Sequence, residues 1–406
     1  MKKISGNTYI TKKNDNVFLD QVPIKELTEK FETPLYILLE NRIRENIKNL
    51  NEIFSSLFDK FECFYSLKAN FLKKIIKIIK SERIGLEIIG LPELNLSINE
   101  KFNPKNIIGG GPYLFKIFVK KAIESGIREI ISYNLEDLKL IHKIAEKYGI
   151  IQDVCLRINS GKYESKLGVF LDDETLIKLK KILKTCNSVR LTTILSHYGT
   201  QMNHISLFRK NVNNAIENFK LLLNNRIHVK NINFGGGFPE ASILPVKQLQ
   251  IFATELKTLL KPIENNINKI YLEPGRYIVG DAGVFLSKII KTSSNRWFFL
   301  DIGNHICPKF AKCSLRFYNI TRISEAHKFK ASIAGIVPTD QDVLAKNYFF
   351  TKNIEKNDIV LVTNVGAYTL TFSNRFPYQL PKILLIKDDR YEIIFDPKLH
   401  HDFSIY

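Results

Sequence analysis

The sequence of 406 residues has no long apolar run, and it has few cysteines. No run approaches the roughly 18 apolar residues that a membrane-spanning helix needs. The opening MKKISGNTYI has a basic pair but not the apolar stretch of a signal peptide. The five cysteines are odd in number and show no CxxC spacing, so neither a disulfide framework nor a metal site is expected. These absences predict a cytoplasmic protein with reduced thiols and no membrane partner.

Acidic residues are also few, and several familiar motifs are missing. The chain has 41 acidic residues against 60 basic ones, which gives a net charge of +19. Such an excess can indicate binding to nucleic acid or to an anionic membrane. The lysines are spread along the chain without a basic stripe interleaved with aromatic residues, so no nucleic-acid partner is expected. There is no HExxH, GxSxG or Walker pattern, and the glycine run at 234–239 does not follow GxGxxG.

The order of apolar segments predicts two domains. From about residue 34 to 275, short apolar strands alternate with helical patterns in roughly eight units, which is typical of a (β/α)8 TIM-type barrel. After about residue 280, strands follow one another without regular helices, which is typical of an antiparallel sheet. The predicted fold class is α/β, with a barrel over 31–278 and a second, mostly antiparallel β domain formed by 1–30 and 279–406.

Polar residues follow several predicted barrel strands, at the end where such barrels carry their sites. Lys68 in YSLKAN could form a Schiff base there, although a solvated surface lysine is the alternative. Glu273 and Arg276 lie in YLEPGR. A buried carboxylate could keep a ring nitrogen protonated, and an arginine could clamp a phosphate or a carboxylate. A structural ion pair is the alternative for these two residues.

Glycines and aromatic rings follow other strands. Gly235, Gly236 and Gly237 could bring backbone N–H groups close to a phosphate, or they could simply form a tight turn. The planar ring of His197 in SHYGTQ could lie against a cofactor, or it could be a core residue with its hydrogen bonds satisfied. Tyr368 in GAYTLTFSN could donate to a phosphate, or it could pack in the core.

In this order, YSLKAN, SHYGTQ, FGGGFP, LEPGR and GAYT resemble a known family. They are similar to the pyridoxal-phosphate (PLP) decarboxylases of the alanine-racemase-like fold. The nearest branch is diaminopimelate decarboxylase, and ornithine decarboxylase is more distant. The resemblance covers about residues 30 to 380. It implies a barrel with a β domain, PLP as the cofactor, an amino-acid substrate, and a homodimer with its sites at the subunit interface.

The resemblance also implies roles for individual residues. Lys68 would form the Schiff base, His197 would stack on the ring, and Glu273 would pair with the pyridine nitrogen. A protonated pyridine is an electron sink, and racemases of this fold place an arginine there, so Glu273 favours decarboxylation. The expected catalytic residues are Lys68, His197 and Asp342. The other expected cofactor-binding residues are Arg157, Gly235, Gly236, Gly237, Glu273, Arg276 and Tyr368.

The sequence departs from the family pattern in three places. GIVPTDQD (335–342) puts Pro338 where the family has a proton-donating cysteine and Thr339 where it has an acid, while Asp342 remains. DIGNHICPKFA puts Cys307 where diaminopimelate decarboxylases have an arginine for the distal end of the substrate. Glu87 replaces the usual aspartate. Whether Asp340, Cys307 or Cys313 supplies the missing acid stays open.

These departures make diaminopimelate itself doubtful as the substrate. They favour either a similar amino acid or an amino-acid moiety carried on a larger biosynthetic intermediate, such as a carrier-linked or peptide-linked one. Three alternatives stay open: a catalytically altered homologue that acts as a binding partner, a PLP racemase of the same fold, and a barrel enzyme without PLP.

Overall fold

The structure is a computed structural model that describes residues 2–161 and 165–401. The chain forms two compact units, each assembled from separate stretches of sequence. The barrel unit contains Lys48–Pro239 and Leu244–Gly275. The sheet unit contains Met1–Ile47, Glu240–Ile243 and Arg276–Tyr406.

The strands and helices follow the alternation that the sequence predicts. The strands are β1 (Lys2–Ile4), β2 (Asn7–Lys13), β3 (Asn16–Leu19), β4 (Val22–Pro23), β5 (Leu35–Leu39), β6 (Phe61–Ser66), β7 (Gly85–Ile88), β8 (Ile107–Gly111), β9 (Glu129–Ser132), β10 (Gln152–Arg157), β11 (Val189–Leu195), β12 (Asn231–Asn233), β13 (Lys269–Leu272), β14 (Gly283–Thr292), β15 (Trp297–Leu300), β16 (Arg316–Asn319), β17 (Phe329–Ala334), β18 (Val343–Phe350), β19 (Ile359–Thr363), β20 (Lys382–Lys387) and β21 (Arg390–Phe395). The helices are α1 (Ile24–Lys30), α2 (Glu40–Ser55), α3 (Lys73–Ser81), α4 (Leu91–Asn99), α5 (Lys116–Ser125), α6 (Glu136–Lys147), α7 (Asp173–Thr185), α8 (Ile205–Asn224), α9 (Val246–Leu260) and α10 (Arg276–Val279).

The barrel unit is built on a closed parallel barrel. In the described part of the chain, strands β6 to β13 pair in sequence order, and β13 closes the ring by pairing with β6. The barrel interior is filled by apolar side chains, including Phe64, Ile131, Leu195 and Tyr271. This confirms the predicted (β/α)8 fold, and it places the carboxyl ends of all eight strands at one edge, where such barrels carry their sites.

Amphipathic helices cover the outside of this barrel. Helix α3 buries Ile75, Ile76, Ile78 and Ile79, while lysines occupy most of its remaining positions. This three- and four-residue spacing of apolar residues gives the helix one face for the core and one face for water. Helix α5 ends at Gly126, whose φ of +70° is the left-handed conformation that glycine adopts most readily. Here the sequence pattern and the structure agree.

The sheet unit is rich in antiparallel pairs, as the sequence predicts. Strands β1 to β4 form a small antiparallel sheet, and the larger sheet runs in the order β18-β17-β15-β14-β5-β20-β21 with β16 and β19 attached. Two of its pairs are parallel, namely β5 with β20 and β15 with β17. Apolar residues of the N-terminal strands share one core with those of β5, β14 and β20.

The boundary between the units differs from the expected one at residue 31. The sequence segment PLYILL reads as the start of the barrel pattern, but its strand β5 pairs with β14 and β20 in the sheet unit. Every residue of β5 is buried. A short, fully apolar strand has the same pattern in a barrel and in the centre of a sheet, so its neighbours cannot be deduced from its own residues.

None of the helices within 2–161 and 165–401 is both long enough and apolar enough to cross a membrane.

Candidate active site

Lys68 and Glu87 form an ion pair at the carboxyl edge of the barrel. Lys68 lies in the short turn directly after β6, and Glu87 lies on the neighbouring strand β7. The distance between Lys68 Nζ and Glu87 Oε2 is 2.7 Å, and Ser66 Oγ donates to the same oxygen. The Glu87 side chain is buried, whereas the Lys68 side chain is 34% exposed. The Lys68 side chain is therefore partly open to solvent, and its charge is balanced by a buried carboxylate.

Glu273 follows β13, which is the other neighbour of β6 in the barrel. Its carboxylate is buried, and its Oε1 accepts a hydrogen bond of 2.6 Å from Asn233 Nδ2. Burial, reinforced by the negative charge of Glu87, raises the pKa of Glu273 to about 8. Three interactions lower this pKa without offsetting the effect of burial. They are the positive charge of Lys68, the hydrogen bond from Asn233 and the positive charge of Arg157. The site therefore favours a cation beside Glu273.

A second carboxyl group, Glu93 in the first turn of α4, has a similar environment. Burial is the main cause that raises its pKa to about 7, and the charge of Glu87 adds to it. Its Oε2 accepts a 2.6 Å hydrogen bond from the backbone N–H of Ile89. Glu93 carries no recognisable signal in the sequence, because nothing in its helical pattern distinguishes it from a surface glutamate.

The glycine run after β12 is a constrained turn that lies against His197. Gly235 has a φ of +64°, and a Cβ atom on it would come within 2.8 Å of His197 Nδ1. A Cβ on Gly236 would be 2.3 Å from the backbone oxygen of Glu273, and one on Gly237 would be 2.1 Å from that of Gly199. Only residues without a Cβ atom fit this turn.

Two backbone N–H groups of this turn are available to a ligand. Gly235 donates to Asn233 Oδ1 at 2.8 Å, so Asn233 supports both the turn and Glu273. Within the described ranges, the N–H groups of Gly236 and Gly237 have no acceptor. Consecutive backbone donors of this kind can bind an anion such as a phosphate.

Arg157, at the end of β10, points its guanidinium at Tyr133. Its Nη1 donates to Tyr133 Oη at 2.8 Å, and its guanidinium lies 4.7 Å from the centre of the ring. Its buried Nε has no hydrogen-bond partner in the part of the chain that the structure describes. Arg157 is also close enough for its charge to lower the pKa of Glu273. The structure thus places Arg157 in the same part of the barrel unit as Glu273.

Arg276 and Tyr368 belong to the sheet unit, and they contact each other there. The guanidinium of Arg276 lies 4.9 Å from the centre of the Tyr368 ring. Arg276 also pairs with the buried Glu240 at 3.2 Å and donates to the backbone oxygen of Ala311 at 2.6 Å. Tyr368 has a φ of +66°, which is uncommon for a residue with a side chain. Glu240 could not be predicted from the sequence, since a glutamate after a glycine run has no distinctive pattern.

Asp342 holds backbone amides together in the sheet unit. Its Oδ1 accepts from the N–H of Asn304 at 2.8 Å, and its Oδ2 accepts from the N–H of Val337 at 2.7 Å. Its side chain is buried against Gly303 and Gly335. Both carboxylate oxygens are therefore engaged in joining two loops. This gives Asp342 a structural task that its sequence context does not reveal.

Two of the open candidates for the missing acid, Cys307 and Cys313, have thiols whose pKa is raised by burial. The pKa of Cys313 is about 12, and that of Cys307 is also well above its ordinary value. Both thiols are therefore protonated near neutral pH. The third candidate, Asp340, is exposed in the loop before β18.

Comparison with known proteins gives the family. The family model for the pyridoxal binding domain of pyridoxal-dependent decarboxylases matches residues 41–280. Diaminopimelate decarboxylase of Methanocaldococcus jannaschii is 25% identical over 91% of this chain and 90% of its own. The L-glutamyl-BtrI acyl-carrier protein decarboxylase of Niallia circulans is 27% identical over 93% of this chain and 94% of its own. The crystal structure of the M. jannaschii enzyme superposes with a TM-score of 0.87 at 24% identity, covering 97% of this chain and 96% of that one.

The family model covers more than half of the chain, so the chain belongs to the pyridoxal-dependent decarboxylases. It is an enzyme that decarboxylates an amino acid, and its cofactor is PLP. The alternatives of a binding partner without activity and of a racemase are not favoured by these relatives.

The residues of the barrel unit fit this cofactor. A pyridine nitrogen that carries a proton would add a positive charge beside the buried Glu273, which would lower its pKa from about 8 and favour the carboxylate. The N–H groups of Gly236 and Gly237 suit a phosphate, and the ε-amine of Lys68, on a side chain partly open to solvent, suits an aldehyde.

Proposed function

We propose that Lys68 carries the cofactor of this decarboxylase through its ε-amine and that Glu273 acts on the cofactor's ring nitrogen. The observation that supports this most directly is their placement. They follow the adjacent strands β6 and β13, and the buried Glu273 has its pKa raised to about 8. The barrel unit would then be the PLP-binding domain.

The cofactor, when bound, supplies an electron sink for the electron pair that remains after carbon dioxide leaves. Glu273 would keep a proton on the ring nitrogen, which preserves that sink. Glu87 accepts a hydrogen bond from Lys68 Nζ, and it would hold the lysine in place whenever its amine is free. Burial of the Glu87 and Glu273 carboxyl groups keeps water away from them and strengthens their electrostatic interactions.

The other predicted residues would position the cofactor. The turn of Gly235, Gly236 and Gly237 would bind the phosphate, and the ring of His197, packed against Gly235, would lie on the pyridine. Arg157 would sit near the ring hydroxyl. We propose phosphate or substrate binding for Arg276 and Tyr368, supported by the contact between the guanidinium and the ring.

We propose that Asp342 positions the loop around Pro338 and does not transfer a proton. The hydrogen bonds from the N–H groups of Asn304 and Val337 to its two oxygens support this role. An Asp342→Asn variant would leave one of these amides without an acceptor. It should lower kcat without moving the pH dependence of kcat, whereas a proton donor would change that pH profile when removed.

We propose that the substrate is an amino-acid moiety linked to a carrier. Cys307 takes the place of the arginine that the resemblance to diaminopimelate decarboxylases leads one to expect for a distal carboxylate. The relative from Niallia circulans, whose name specifies a carrier-linked glutamyl substrate, also supports this choice. Free diaminopimelate is the second candidate, since several relatives carry that name.

We also propose a homodimer. The sheet unit has exposed aromatic rings that a partner subunit could cover, among them Phe310 and Phe376, which are 71% and 63% exposed. Phe310 packs edge-to-face on Phe372, with ring centres 4.7 Å apart. Sedimentation of the purified protein should give twice the mass of 46.9 kDa. Sedimentation as a monomer would contradict this assignment.

A cytoplasmic location, supported by the scattered cysteines, can be tested by cell fractionation.

The decisive experiment for the function combines a spectrum with an assay. The purified protein should show a visible absorbance band that borohydride removes, and the Lys68→Ala variant should lack it after PLP is added. Released carbon dioxide should then be measured with free diaminopimelate and with glutamate linked to an acyl carrier protein. Carbon dioxide release by Lys68→Ala at the wild-type rate would refute the role of Lys68, and a wild-type protein without the band would refute cofactor attachment.

A further inference from the structure

An exposed surface of aromatic and apolar side chains follows strand β8 in the barrel unit. Tyr113, Phe115 and Ile117 are 69%, 63% and 63% exposed. The rings of Tyr113 and Phe115 meet edge-to-face, with their centres 4.8 Å apart. We call the exposed residues of 112–121, which lie in the loop after β8 and the first turns of α5, the β8 surface. Exposed apolar side chains that contact one another, as Tyr113 and Phe115 do, can mark an interaction site.

Folding of the barrel unit does not account for these exposed side chains. Helix α5 buries Phe118, Val119, Ala122 and Ile123 against the barrel, and this face anchors the helix. Ile117 lies on the opposite, exposed face, where a polar residue would serve the fold as well. The exposed apolar residues Tyr113, Phe115 and Ile117 therefore have no evident role within this unit.

Positive charges border these residues. Lys116, Lys120 and Lys121 are all exposed. Lys120 pairs with Glu124 at 3.7 Å, while no ion pair engages Lys116 or Lys121 in the described part of the chain. Aromatic anchors beside an exposed charged margin resemble the arrangement of protein–protein interfaces, and the positive sign here selects an acidic partner.

The β8 surface lies at the edge of the barrel that carries Lys68 and Glu87. Strand β8 pairs with β7, which carries Glu87, and β7 pairs with β6, which leads to Lys68. Adjacent strands are about 4.8 Å apart, so β8 lies roughly 10 Å from β6. A protein bound on this surface could present a tethered amino acid to Lys68.

We propose that the β8 surface docks an acidic carrier protein that holds the substrate amino acid through an acyl link. This inference rests on the carrier-linked substrate proposed above, and it assigns the place where the carrier binds. Phe115 and Ile117 supply the apolar contact, and Lys116, Lys120 and Lys121 supply the charge. The net charge of +19 on the chain increases the attraction for an acidic protein at low ionic strength.

The test uses the PLP-loaded enzyme and two probes that share one amino acid. The probes are L-glutamate linked to an acyl carrier protein and L-glutamate linked to pantetheine alone. The variant is Ile117→Ser with Lys120→Glu. The matched control is Ile177→Ser with Lys181→Glu on helix α7, where Ile177 is 67% exposed and Lys181 is also exposed.

We expect the β8-surface variant to raise KM for the carrier-linked probe by about tenfold, because it loses an apolar anchor and reverses a charge. Its kcat/KM for the pantetheine-linked probe should stay at the wild-type value, and the control variant should match wild type with both probes. For the wild type, KM for the carrier-linked probe should also rise with added salt, since salt screens exposed charges.

Other outcomes separate the two proposals. Equal KM values for the carrier-linked probe in wild type and both variants would overturn docking and leave the carrier-linked function standing. Turnover of free diaminopimelate alone would overturn the carrier-linked substrate and docking with it. A change of sedimentation mass confined to the β8-surface variant would assign this surface to a second copy of the chain, and would also overturn docking.

Discussion

Glu273 shows how a single residue couples folding to cofactor binding. Its pKa is raised from 4.5 to about 8, first by burial and then by the negative charge of Glu87. A carboxyl group whose pKa is higher in the folded state stabilises the fold below its unfolded pKa, and it loses this contribution as pH rises through the folded pKa. As the pH rises from about 4.5 to about 8, the cofactor-free protein should therefore lose the stability that Glu273 contributes.

The Glu273→Gln variant tests this coupling. In the cofactor-free protein, the wild-type free energy of unfolding should fall across that range by at most about 1.4 kcal/mol per pH unit, and the substitution should remove this decline. Thermal unfolding of both proteins between pH 5 and pH 9 would measure the difference in their pH dependence. PLP should raise the melting temperature of the wild type at pH 8 more than that of the variant. Parallel pH profiles would show that another group causes the decline.

Lys68 and Glu273 could be predicted at the residue scale because each follows an apolar strand at the carboxyl edge of the barrel. The role of Asn233 could not be predicted in this way, although its side chain forms hydrogen bonds with both Glu273 and Gly235. An asparagine within a short strand looks like an ordinary interruption of an apolar pattern. Its role depends on strand β13, about 40 residues further along the chain, being its neighbour in the barrel.

At the scale of elements, the turn after β12 depends on glycine for its shape. Gly237 has a φ of +91°, and a Cβ atom there would meet the backbone oxygen of Gly199 at 2.1 Å. A clash between this Cβ atom and a backbone oxygen can be relieved only by moving the turn. The N–H groups that we assign to the phosphate would then move as well.

The Gly237→Ala variant should therefore lose more than about 2 kcal/mol of unfolding free energy, together with affinity for PLP. Gly149→Ala is the matched control, because Gly149 also has a positive φ of +63° but has no heavy atom within 4 Å of the added Cβ. The control should cost about 1 kcal/mol for its backbone conformation alone and should keep its PLP affinity. Urea unfolding and PLP titration measure the two effects. Equal losses in both variants would mean that the close contact with Gly199 is relieved without cost.

Strand β5 marks the limit of prediction at this scale. Its five apolar residues identify a buried strand correctly, but they do not indicate which sheet receives it. The choice depends on hydrogen bonds to β14 and β20, which lie more than 240 residues away in the sequence. The expected domain boundary at residue 31 consequently differs from the boundary in the structure.

At the scale of the whole chain, the buried Asp281 joins distant segments of the sheet unit. Its Oδ2 accepts from Arg42 Nη2 at 2.7 Å, and its Oδ1 accepts from Asn46 Nδ2 at 2.9 Å. Its backbone oxygen accepts from Asn7 Nδ2 at 2.8 Å, across 274 residues of sequence. Removal of the carboxylate would leave the charge of Arg42 buried without this partner.

The Asp281→Ala variant should therefore lose about 3–5 kcal/mol of unfolding free energy, which is the typical cost of removing one partner of a buried ion pair. Asp389→Ala is the control, because the pair of Asp389 with Arg390 is exposed to solvent. The control should change the stability by less than about 1 kcal/mol. Urea denaturation of the two variants measures both values, and similar midpoints would show that the Asp281 network does not stabilise the fold.

The barrel, the β domain and the identity of the residues at the strand ends follow from the amino-acid sequence alone, because hydrophobic periodicity and glycine placement are local properties. The folded structure was needed to show that Glu87 pairs with Lys68, that Asn233 supports Glu273, and that Asp342 is engaged by two loops. These arrangements arise from burial and from contacts between residues far apart in the chain. A linear pattern contains neither, since a pKa and a hydrogen bond depend on neighbours that folding brings together.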